Sequence, residues 1–391
     1  MDTNKIFYKT LFKGLFSDPC EVKYWDGDTE KYGDGDPKFR IIFYEPIPKG
    51  DVIRDPSMTL GEAYMDKKLD IEGNVQDVIE SLYNNKDSFI SNGEKYSKLI
   101  KILPNTIRKS KNDIKYHYDI GNDFYKLWLD KTMTYSCGYF KSENDTLEEA
   151  QNNKVEHILK KLSIKKDNTL LDIGCGWGNL IIKAAKEYGA KALGVTLSEE
   201  QFKACKERIK KEGLEGRVDV ILQDYREIKN RTFDRIVSVG MIEHVGKKNI
   251  HEYFEAINKL LNNGGISLLH CITGIKNGGT NTWINNYIFP GGYVPAIREL
   301  IDNIAEQNFY IVDVESLRRH YGRTLENWTR NFENSIDEVR KMKDERFIRM
   351  WRMYLNACAA SFNCGNIDIH QFLFTKGINN DIPWTRKYMY K

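Results

Sequence analysis

The chain has 391 residues, 41% of them hydrophobic and 29% charged, which excludes an intrinsically disordered protein and leaves room for two domains. Lys and Arg number 59 against 56 Asp and Glu, and the net charge of +3 excludes a dedicated nucleic-acid-binding surface. No apolar run approaches the ~20 residues that cross a bilayer, and the N-terminus lacks a signal-peptide pattern. Seven cysteines without CxxC repeats indicate free thiols, so we expect a cytoplasmic protein.

The first predicted element is an amphipathic helix over residues 5–16. Lys5, Lys9 and Lys13 recur every four residues on one side of it, and apolar side chains occupy the other side. A helix lying on a membrane surface has this pattern, and so does a helix docked on its own domain. We favour the docked helix, because short amphipathic runs are common in globular proteins.

Residues 1–105 predict a small α+β domain without a catalytic constellation. A turn-rich segment at 26–37 precedes a strand at 38–44, and residues 74–85 have helical periodicity. The polar, lysine-rich segment 91–113 is the predicted connection to the second domain, residues 106–391.

From residue 148 onward, helices alternate with apolar strands. This alternation predicts an α/β domain with a parallel sheet covered on both faces, and ligands of such sheets bind at the carboxyl ends of the strands. The predicted strands are 168–174, 191–197, 218–224, 233–240 and 264–270.

The fifth strand, in the run GGISLLHCITG (264–274), places His270 and Cys271 among apolar neighbours without a charged residue. A histidine in such a run is ordinarily a core residue with one hydrogen bond to a carbonyl. Because His270 is predicted to end its strand, we expect it to face the ligand crevice instead.

The turn LDIGCGWGN (171–179) follows the first strand of this domain. Its GxGxG spacing differs from the dinucleotide fingerprint GxGxxG and is typical of S-adenosylmethionine methyltransferases. The next two strands end in VTLSEEQ (195–201) and LQDYRE (222–227), where such enzymes contact the ribose and the adenine. A purely structural glycine turn is the less favoured interpretation.

Three further segments carry side chains that could take part in catalysis. They are HYDIGNDFYKLWLDKTMTYSCGYF (117–140), MIEHVG (241–246) and HYGRTLENW (320–328). Taken singly, each has an ordinary explanation. Glu243 after the fourth strand could cap a helix, and Cys137 could be a small buried residue.

Taken together, YSCGYF, LDIGCGWG, GVTLSEEQ, RIVSVGMIEHVG, LLHCIT, FPGGYVP and HYGRTLENW resemble the cyclopropane-fatty-acyl-phospholipid synthase family, which includes the mycolic acid cyclopropane synthases. The resemblance extends from His117 to Lys376. It implies a Rossmann-like class I methyltransferase fold, that is, a seven-stranded, mostly parallel sheet with helical cover insertions, and S-adenosylmethionine as cofactor. It also implies a lipid-binding or association role for residues 1–105.

By this resemblance, a bicarbonate ion is held by the side chains of Glu243, His270 and Tyr321 and by the backbone amides of Cys137 and Ile272. Glu243 and bicarbonate would repel each other if both were fully ionised, so they share a proton or His270 offsets the charge. The residues assigned to the cofactor are Tyr135, Ser136, Asp172, Gly174, Gly176, Gly178, Thr196, Leu197, Gln201, Asp224, Tyr225 and His244.

The implied reaction transfers a methyl group to a cis double bond of a phospholipid acyl chain and closes a cyclopropane ring, with bicarbonate as base. We expect an acyl channel beneath helices around 293–307 and 346–362, a homodimer, and peripheral association with the inner face of a membrane. Aromatic rings can stabilise a carbocation, although core packing is the expected role of any single ring. The candidates are Tyr135, Tyr139, Phe140, Tyr293, Trp328 and Trp351.

Three alternatives remain on the same scaffold. A methyl-branching fatty-acyl methyltransferase would omit ring closure, and a small-molecule amine N-methyltransferase would not need the bicarbonate residues. A lipid-binding scaffold without catalysis is disfavoured by the intact glycine turn.

Overall fold

The structure is a computed structural model that describes residues 2–85, 120–276 and 281–390. The predicted connection at 91–113 and the start of the 117–140 segment lie outside these ranges. Within the described residues, no helix combines the length and the apolar character needed to cross a bilayer.

The elements are numbered here in chain order. The strands are β1 (Cys20–Lys23), β2 (Thr29–Tyr32), β3 (Phe39–Phe43), β4 (Leu69–Glu72), β5 (Thr169–Ile173), β6 (Lys191–Thr196), β7 (Val218–Leu222), β8 (Phe233–Val239), β9 (Leu261–Gly274), β10 (Phe309–Ser316) and β11 (Ile367–Lys376). The helices are α1 (Thr3–Phe12), α2 (Lys49–Arg54), α3 (Pro56–Met65), α4 (Val75–Asn84), α5 (Asn122–Lys126), α6 (Leu147–Lys161), α7 (Asn179–Tyr188), α8 (Glu199–Lys211), α9 (Ile250–Leu260), α10 (Thr282–Tyr287), α11 (Ile297–Glu306), α12 (Arg318–Asn334), α13 (Ile336–Arg340), α14 (Glu345–Asn363) and α15 (Lys387–Tyr390).

The chain forms two compact units, and the first contains a four-stranded sheet in the order β2-β1-β3-β4. β1 pairs parallel with β3, and the other two pairings are antiparallel. The strand predicted at 38–44 and the helix predicted at 74–85 are both present, whereas the turn-rich segment also contains β2. The residues of this unit are Met1–Lys101, Gly279–Pro290 and Leu325–Asn366.

Helix α1 is docked on its own unit, as favoured above. Tyr8 and Phe12 are buried in the core of the first unit. Lys5 forms ion pairs with two aspartates of the β1–β2 turn, and Lys9 contacts Glu30 at 2.8 Å. Two lysines of the predicted basic face are therefore paired within the unit.

Helix α14 differs from the sequence expectation, which placed residues 346–362 as a cover element in the second domain. Its buried Arg349 donates from Nη2 to the Leu69 carbonyl at 2.9 Å and to Asp70 Oδ1 at 3.0 Å. The guanidinium also lies 3.9 Å from the centre of the Tyr64 ring. These contacts tie α14 to β4 and α3, so it belongs to the first unit. Trp328 and Trp351 belong to that unit as well.

The second unit is built on a seven-stranded sheet in the order β10-β11-β9-β8-β5-β6-β7. Neighbouring strands from β9 to β7 are parallel, and β11 runs antiparallel to both β9 and β10. This confirms the predicted α/β fold with a mostly parallel sheet. The residues of this unit are Ile102–Gly278, Gly291–Thr324 and Ile367–Lys391.

Alternation along the strands divides the core into two layers. Leu268 packs with residues of α6 and α7 on one face of the sheet. Leu269 packs with residues of α9 and α11 on the other face. By the same alternation, His270 shares the α6 face with Leu268.

β9 is longer than predicted, and His270 is not its last residue. The strand continues to Gly274, because β11 pairs with it up to that position. In register, however, His270 lies beside Val239, the final residue of β8. His270 is therefore at the carboxyl edge of β8, where the expected ligand crevice begins.

Helix α6 carries buried basic side chains toward β10. Lys161 Nζ lies 2.6 Å from Glu315 Oε2 and 3.2 Å from Asp313 Oδ2. His157 Nε2 lies 2.7 Å from the same Glu315 oxygen. Burial alone would raise the pKa of Glu315, but its hydrogen bond to His157 and the charge of Lys161 lower it to about 2.

We expect Glu315→Gln to reduce the free energy of unfolding by roughly 3 kcal/mol at pH 7, because buried Lys161 loses one of its two carboxylate partners and His157 loses its own. The folded-state pKa of Glu315 lies below its ordinary value of 4.5, so its contribution to stability is present above pH ~4.5 and disappears as the pH falls toward 2. Urea unfolding at several pH values measures this. The exposed Glu187→Gln is the control, with an effect below about 0.5 kcal/mol. If the difference in the free energy of unfolding between wild type and variant stays constant down to pH 3, the prediction is contradicted.

Candidate active site

A cavity opens at the carboxyl ends of the parallel strands of the second unit. Its wall is formed by the turn after β5, the ends of β6 and β8, the residues after β7 and the segment 133–136. All of the residues assigned to the cofactor line this cavity except Gly178. The fold thus brings together residues that are up to 109 positions apart in the sequence, from Tyr135 to His244.

The glycines of the turn have different roles. Gly174 and Gly176 line the cavity and have φ angles of +84° and +54°, which L-residues rarely adopt. Gly178, with φ +83°, precedes the first residue of α7 and does not line the cavity. A Cβ atom at Gly178 would lie 2.3 Å from Cys205 Sγ. Gly178 therefore permits close packing of α7 against α8 and is not a cavity residue.

Asp172, the last-but-one residue of β5, is a buried acid without a complete set of partners. It is 2% exposed, and its Oδ1 has no hydrogen-bond partner among the described residues. Burial raises the pKa of Asp172 to about 7, although the charge of Lys154 opposes this shift. A buried, unpaired carboxyl oxygen in a cavity wall is suited to accept a hydrogen bond from a ligand.

The ends of β6 and β7 are held by local hydrogen bonds. Thr196 Oγ1 donates to Gln201 Oε1 at 2.9 Å. The Asp224 carboxylate accepts from Arg226 Nε at 2.9 Å and from Nη2 at 2.8 Å. Arg226 also lines the cavity, and sequence reasoning missed it although it stands within the LQDYRE motif.

Two residues of α6 hold Ser136 in the cavity wall. Gln151 Nε2 donates to the Ser136 carbonyl and Lys154 Nζ donates to its hydroxyl, both at 2.8 Å. Lys154 itself lines the cavity. Sequence reasoning missed both residues, yet their signal was present: they occupy the buried face of an amphipathic helix, where polar side chains are uncommon.

The five residues assigned to bicarbonate are linked by a short series of contacts. Glu243 Oε1 accepts from the Ile272 N–H at 2.8 Å, two residues beyond His270 on β9. Ile272 pairs in register with Ile369 of β11, whose carbonyl accepts from the Leu317 N–H at 2.8 Å.

Leu317 connects this edge of the sheet to the remaining two residues. Its carbonyl accepts from the Tyr321 N–H at 3.0 Å and from Cys137 Sγ at 3.9 Å. The Gly138 N–H donates to Thr324 Oγ1 at 3.0 Å, which fixes the Cys137 segment to the same turn of α12. The structure therefore brings these residues to one edge of the sheet, and none of the five lines the cofactor cavity.

The ionisable groups at this edge are largely removed from solvent. Burial raises the pKa of Glu243 to about 7, although hydrogen bonds from backbone amides oppose the shift. Burial, with the nearby charges of Lys154 and Lys161, holds the pKa of His270 well below its usual value. Glu243 Oε2 and His270 Nε2 are both solvent-inaccessible and have no hydrogen-bond partner among the described residues. Burial also lowers the pKa of His244, in the cavity wall, to about 4.

Most of the aromatic candidates have packing roles. The Tyr139 ring stacks between His157, at 4.3 Å, and His320, at 4.8 Å. Tyr293 donates from its hydroxyl to Glu299 Oε2 at 2.7 Å. Among the six rings proposed from the sequence, Tyr135 lines the cofactor cavity.

Comparison with known proteins agrees with this geometry. The family model described as mycolic acid cyclopropane synthetase matches residues 105–372. The chain belongs to this family. Residues 7–94 match a domain of unknown function.

Relatives of the cyclopropane synthetase family match over most of the chain. A probable fatty acid methyltransferase from Pseudomonas putida is 38% identical over 95% of this chain and 96% of its own length. The cyclopropane-fatty-acyl-phospholipid synthase of Escherichia coli K12 is 43% identical over 70% of each chain. The mycolic acid cyclopropane synthase CmaA1, solved with S-adenosylhomocysteine, is 32% identical, with a TM-score of 0.65 over 68% of this chain and 98% of its own.

As a member of the cyclopropane synthetase family, the chain is an S-adenosylmethionine-dependent methyltransferase. Its cavity residues fit that cofactor. Glycine backbone can approach the ligand closely, and the unpaired Asp172 oxygen is available to a donor such as the cofactor's ammonium group. Thr196 and Asp224 present polar groups at the ends of adjacent strands, where the ribose and the adenine are expected.

We expect Gly178→Ala to reduce the free energy of unfolding by about 2 kcal/mol or more, because the added Cβ strains the backbone and overlaps Cys205 Sγ. Gly176→Ala is the matched control: it also has a positive φ, but no atom lies within 4 Å of its Cβ position. In a Cys205→Ala background, the cost of Gly178→Ala should fall by roughly 1 kcal/mol or more. Equal costs in both backgrounds, measured by urea unfolding, would show that the sulfur contact is unimportant.

Proposed function

We propose that this enzyme is a cyclopropane-fatty-acyl-phospholipid synthase, which methylates a cis double bond of a phospholipid acyl chain and closes the ring with bicarbonate as base. The observation that carries the proposal is the pair of buried atoms without partners, Glu243 Oε2 and His270 Nε2, at the edge of β9. A methyltransferase that acts on an amine has no evident use for such a pair. The 43% identity to the Escherichia coli synthase supports the same activity.

The bound cofactor would supply an electrophilic methyl group, and bicarbonate would supply a small base that can be exchanged after each turnover. The chain's own residues would hold these groups. The cavity wall would orient the cofactor, and Asp172 would accept a hydrogen bond from it. Glu243 and His270 offer one acceptor or donor atom each to bicarbonate, and the Tyr321 hydroxyl completes the set of side chains.

The electrostatics favour one of the two arrangements of protons left open by the sequence. A pKa well below its usual value keeps His270 neutral, so it does not offset the charge of a bound anion. The pKa of about 7 allows Glu243 to carry a proton near neutral pH. We therefore propose that Glu243 shares a proton with bicarbonate and that neutral His270 completes the hydrogen bonding.

A methyl-branching fatty-acyl methyltransferase is the second candidate, because the Pseudomonas putida relative, a probable fatty acid methyltransferase, matches 95% of this chain. Both activities begin with methyl transfer to a double bond and differ in the fate of the cation. The acyl channel, the homodimer and the cytoplasmic, membrane-peripheral location remain predictions of the same proposal. The packing of Leu300 and Ile304 of α11 against the sheet gives no indication of the channel.

We expect purified protein, incubated with S-adenosylmethionine and vesicles of cis-unsaturated phospholipid, to produce acyl chains heavier by one CH₂ with a cyclopropane signal in NMR. Added mass with the double bond retained or moved would identify the methyl-branching enzyme. Methylation of added amines without lipid modification would identify an N-methyltransferase. Mass spectrometry and NMR of the extracted lipids separate these outcomes.

The variants Glu243→Gln and His270→Ala should each reduce ring formation by roughly 100-fold, because each removes a group that holds the base. Glu255→Gln, at a side chain that is 43% exposed, is the control for the glutamate change and should retain full activity. S-adenosylhomocysteine affinity, measured by calorimetry, should stay within about twofold of wild type in both variants. Retained ring formation in either variant would refute the assignment of that residue.

Removal of dissolved carbon dioxide should slow ring formation by the wild-type enzyme, and added bicarbonate should restore it. Glu243→Gln should respond only at higher bicarbonate concentrations, because its amide cannot share the proton. The measurement is the initial rate at defined bicarbonate concentrations in a sealed, degassed buffer. A wild-type rate that is independent of bicarbonate would exclude it as the base.

A further inference from the structure

Lys154 is a buried cation whose charge the proposed mechanism does not use. It is 3% exposed and lies in the wall of the cofactor cavity. The hydrogen bond that the structure gives its Nζ is the one to the Ser136 hydroxyl, at 2.8 Å. Among the described residues, no carboxylate oxygen lies within 4.0 Å of Lys154 Nζ, so Lys154 forms no ion pair with them.

The second buried lysine of α6 shows the contrast. Lys161 is fully buried and contacts both Asp313 and Glu315. Buried charges in proteins are ordinarily paired in this way, because an isolated ion in a low-dielectric interior is costly. Asp130 and Asp172 influence Lys154 only from a longer distance, and desolvation lowers the pKa of Lys154 to about 8.

A neutral hydrogen bond to Ser136 needs no permanent positive charge. The placement of Lys154 is explained if a ligand in the cavity supplies the negative charge. Its position next to Ser136 and Asp172 in the cavity wall leaves the ammonium accessible to a ligand that enters there. Lys154 also acts electrostatically on His270, so it is near both the cofactor cavity and the edge of β9.

We propose that Lys154 binds a carboxylate-type anion, either in this cavity or at the adjacent edge of β9. Two sources have this chemistry: the carboxylate of S-adenosylmethionine and the bicarbonate of the proposed function. The first source follows from family membership alone. The second rests on the proposed function.

The first test measures binding without turnover. Calorimetry compares S-adenosylmethionine with decarboxylated S-adenosylmethionine, which keeps the sulfonium and the amine and lacks only the carboxylate. If Lys154 binds that carboxylate, Lys154→Met weakens binding of the intact cofactor roughly 10- to 100-fold and leaves the decarboxylated compound within about twofold. Lys154→Arg, which keeps the charge, should recover part of the affinity.

The second test detects bicarbonate directly, by NMR titration of ¹³C-bicarbonate against the complex with S-adenosylhomocysteine. If Lys154 binds this anion, Lys154→Met raises the dissociation constant for bicarbonate at least tenfold and leaves that of the cofactor unchanged. Because neither readout requires a lipid product, failure of the proposed function does not obscure this result.

Two control variants distinguish the loss of the positive charge of Lys154 from the loss of its hydrogen bond to Ser136. Gln151→Leu removes the hydrogen bond from an uncharged side chain to Ser136. If increased mobility of this segment is the cause, this variant binds both cofactor compounds more weakly, and by the same factor. Lys160→Met removes a partly exposed lysine of the same helix that does not line the cavity, and it should change none of these affinities. Thermal unfolding of the ligand-free variants identifies any that are misfolded. Affinities of Lys154→Met and Lys154→Arg within twofold of wild type for both cofactor compounds and for bicarbonate would overturn the proposal.

Discussion

The buried polar side chains of α6 are the constraint on which the second unit depends. A charge or amide on the inner face of a helix must find a partner, and these partners lie on different elements. Lys161 and His157 converge on Glu315 of β10. Gln151 and Lys154, up to three turns closer to the N-terminus, converge on Ser136. The helix thereby fixes the cofactor segment with respect to the edge of the sheet.

The electrostatics of the site follow from the same burial. Removal from water disfavours charge, so it raises the pKa of Asp172 and Glu243 and lowers that of His244 and His270. The site consequently holds acids that can be protonated near neutrality and histidines that stay neutral. Such a site can bind a cationic cofactor and an anionic base in adjacent places without a large fixed charge of its own. Lys154 is the exception to this pattern.

The sequence predicted the parallel sheet because each strand was an apolar run followed by a helix of amphipathic periodicity. Eleven of the twelve residues that it assigned to the cofactor line one cavity, because the glycine turn and the strand ends are local features. The sequence did not predict the features that depend on tertiary contacts, namely the position of α14 and the length of β9. Arg349 draws α14 to the first unit, and nothing in the local pattern of residues 346–362 distinguishes that partner from the sheet. Likewise, pairing with β11 extends β9 beyond His270 to Gly274.

That extension explains how the proposed base site can form. β8 ends at Val239, beside His270, so among the described residues β9 has no neighbouring strand on that side beyond His270, and its pairing there is an isolated bridge from Gly274 to Ala296. The Gly240 N–H still donates to the His270 carbonyl at 2.8 Å, but the Ile272 N–H would be left without a backbone acceptor there. Glu243 supplies the missing acceptor from the turn that follows β8, at 2.8 Å. One carboxyl oxygen of Glu243 thus completes the sheet, and the other, without a partner among the described residues, is the one assigned to the proposed base.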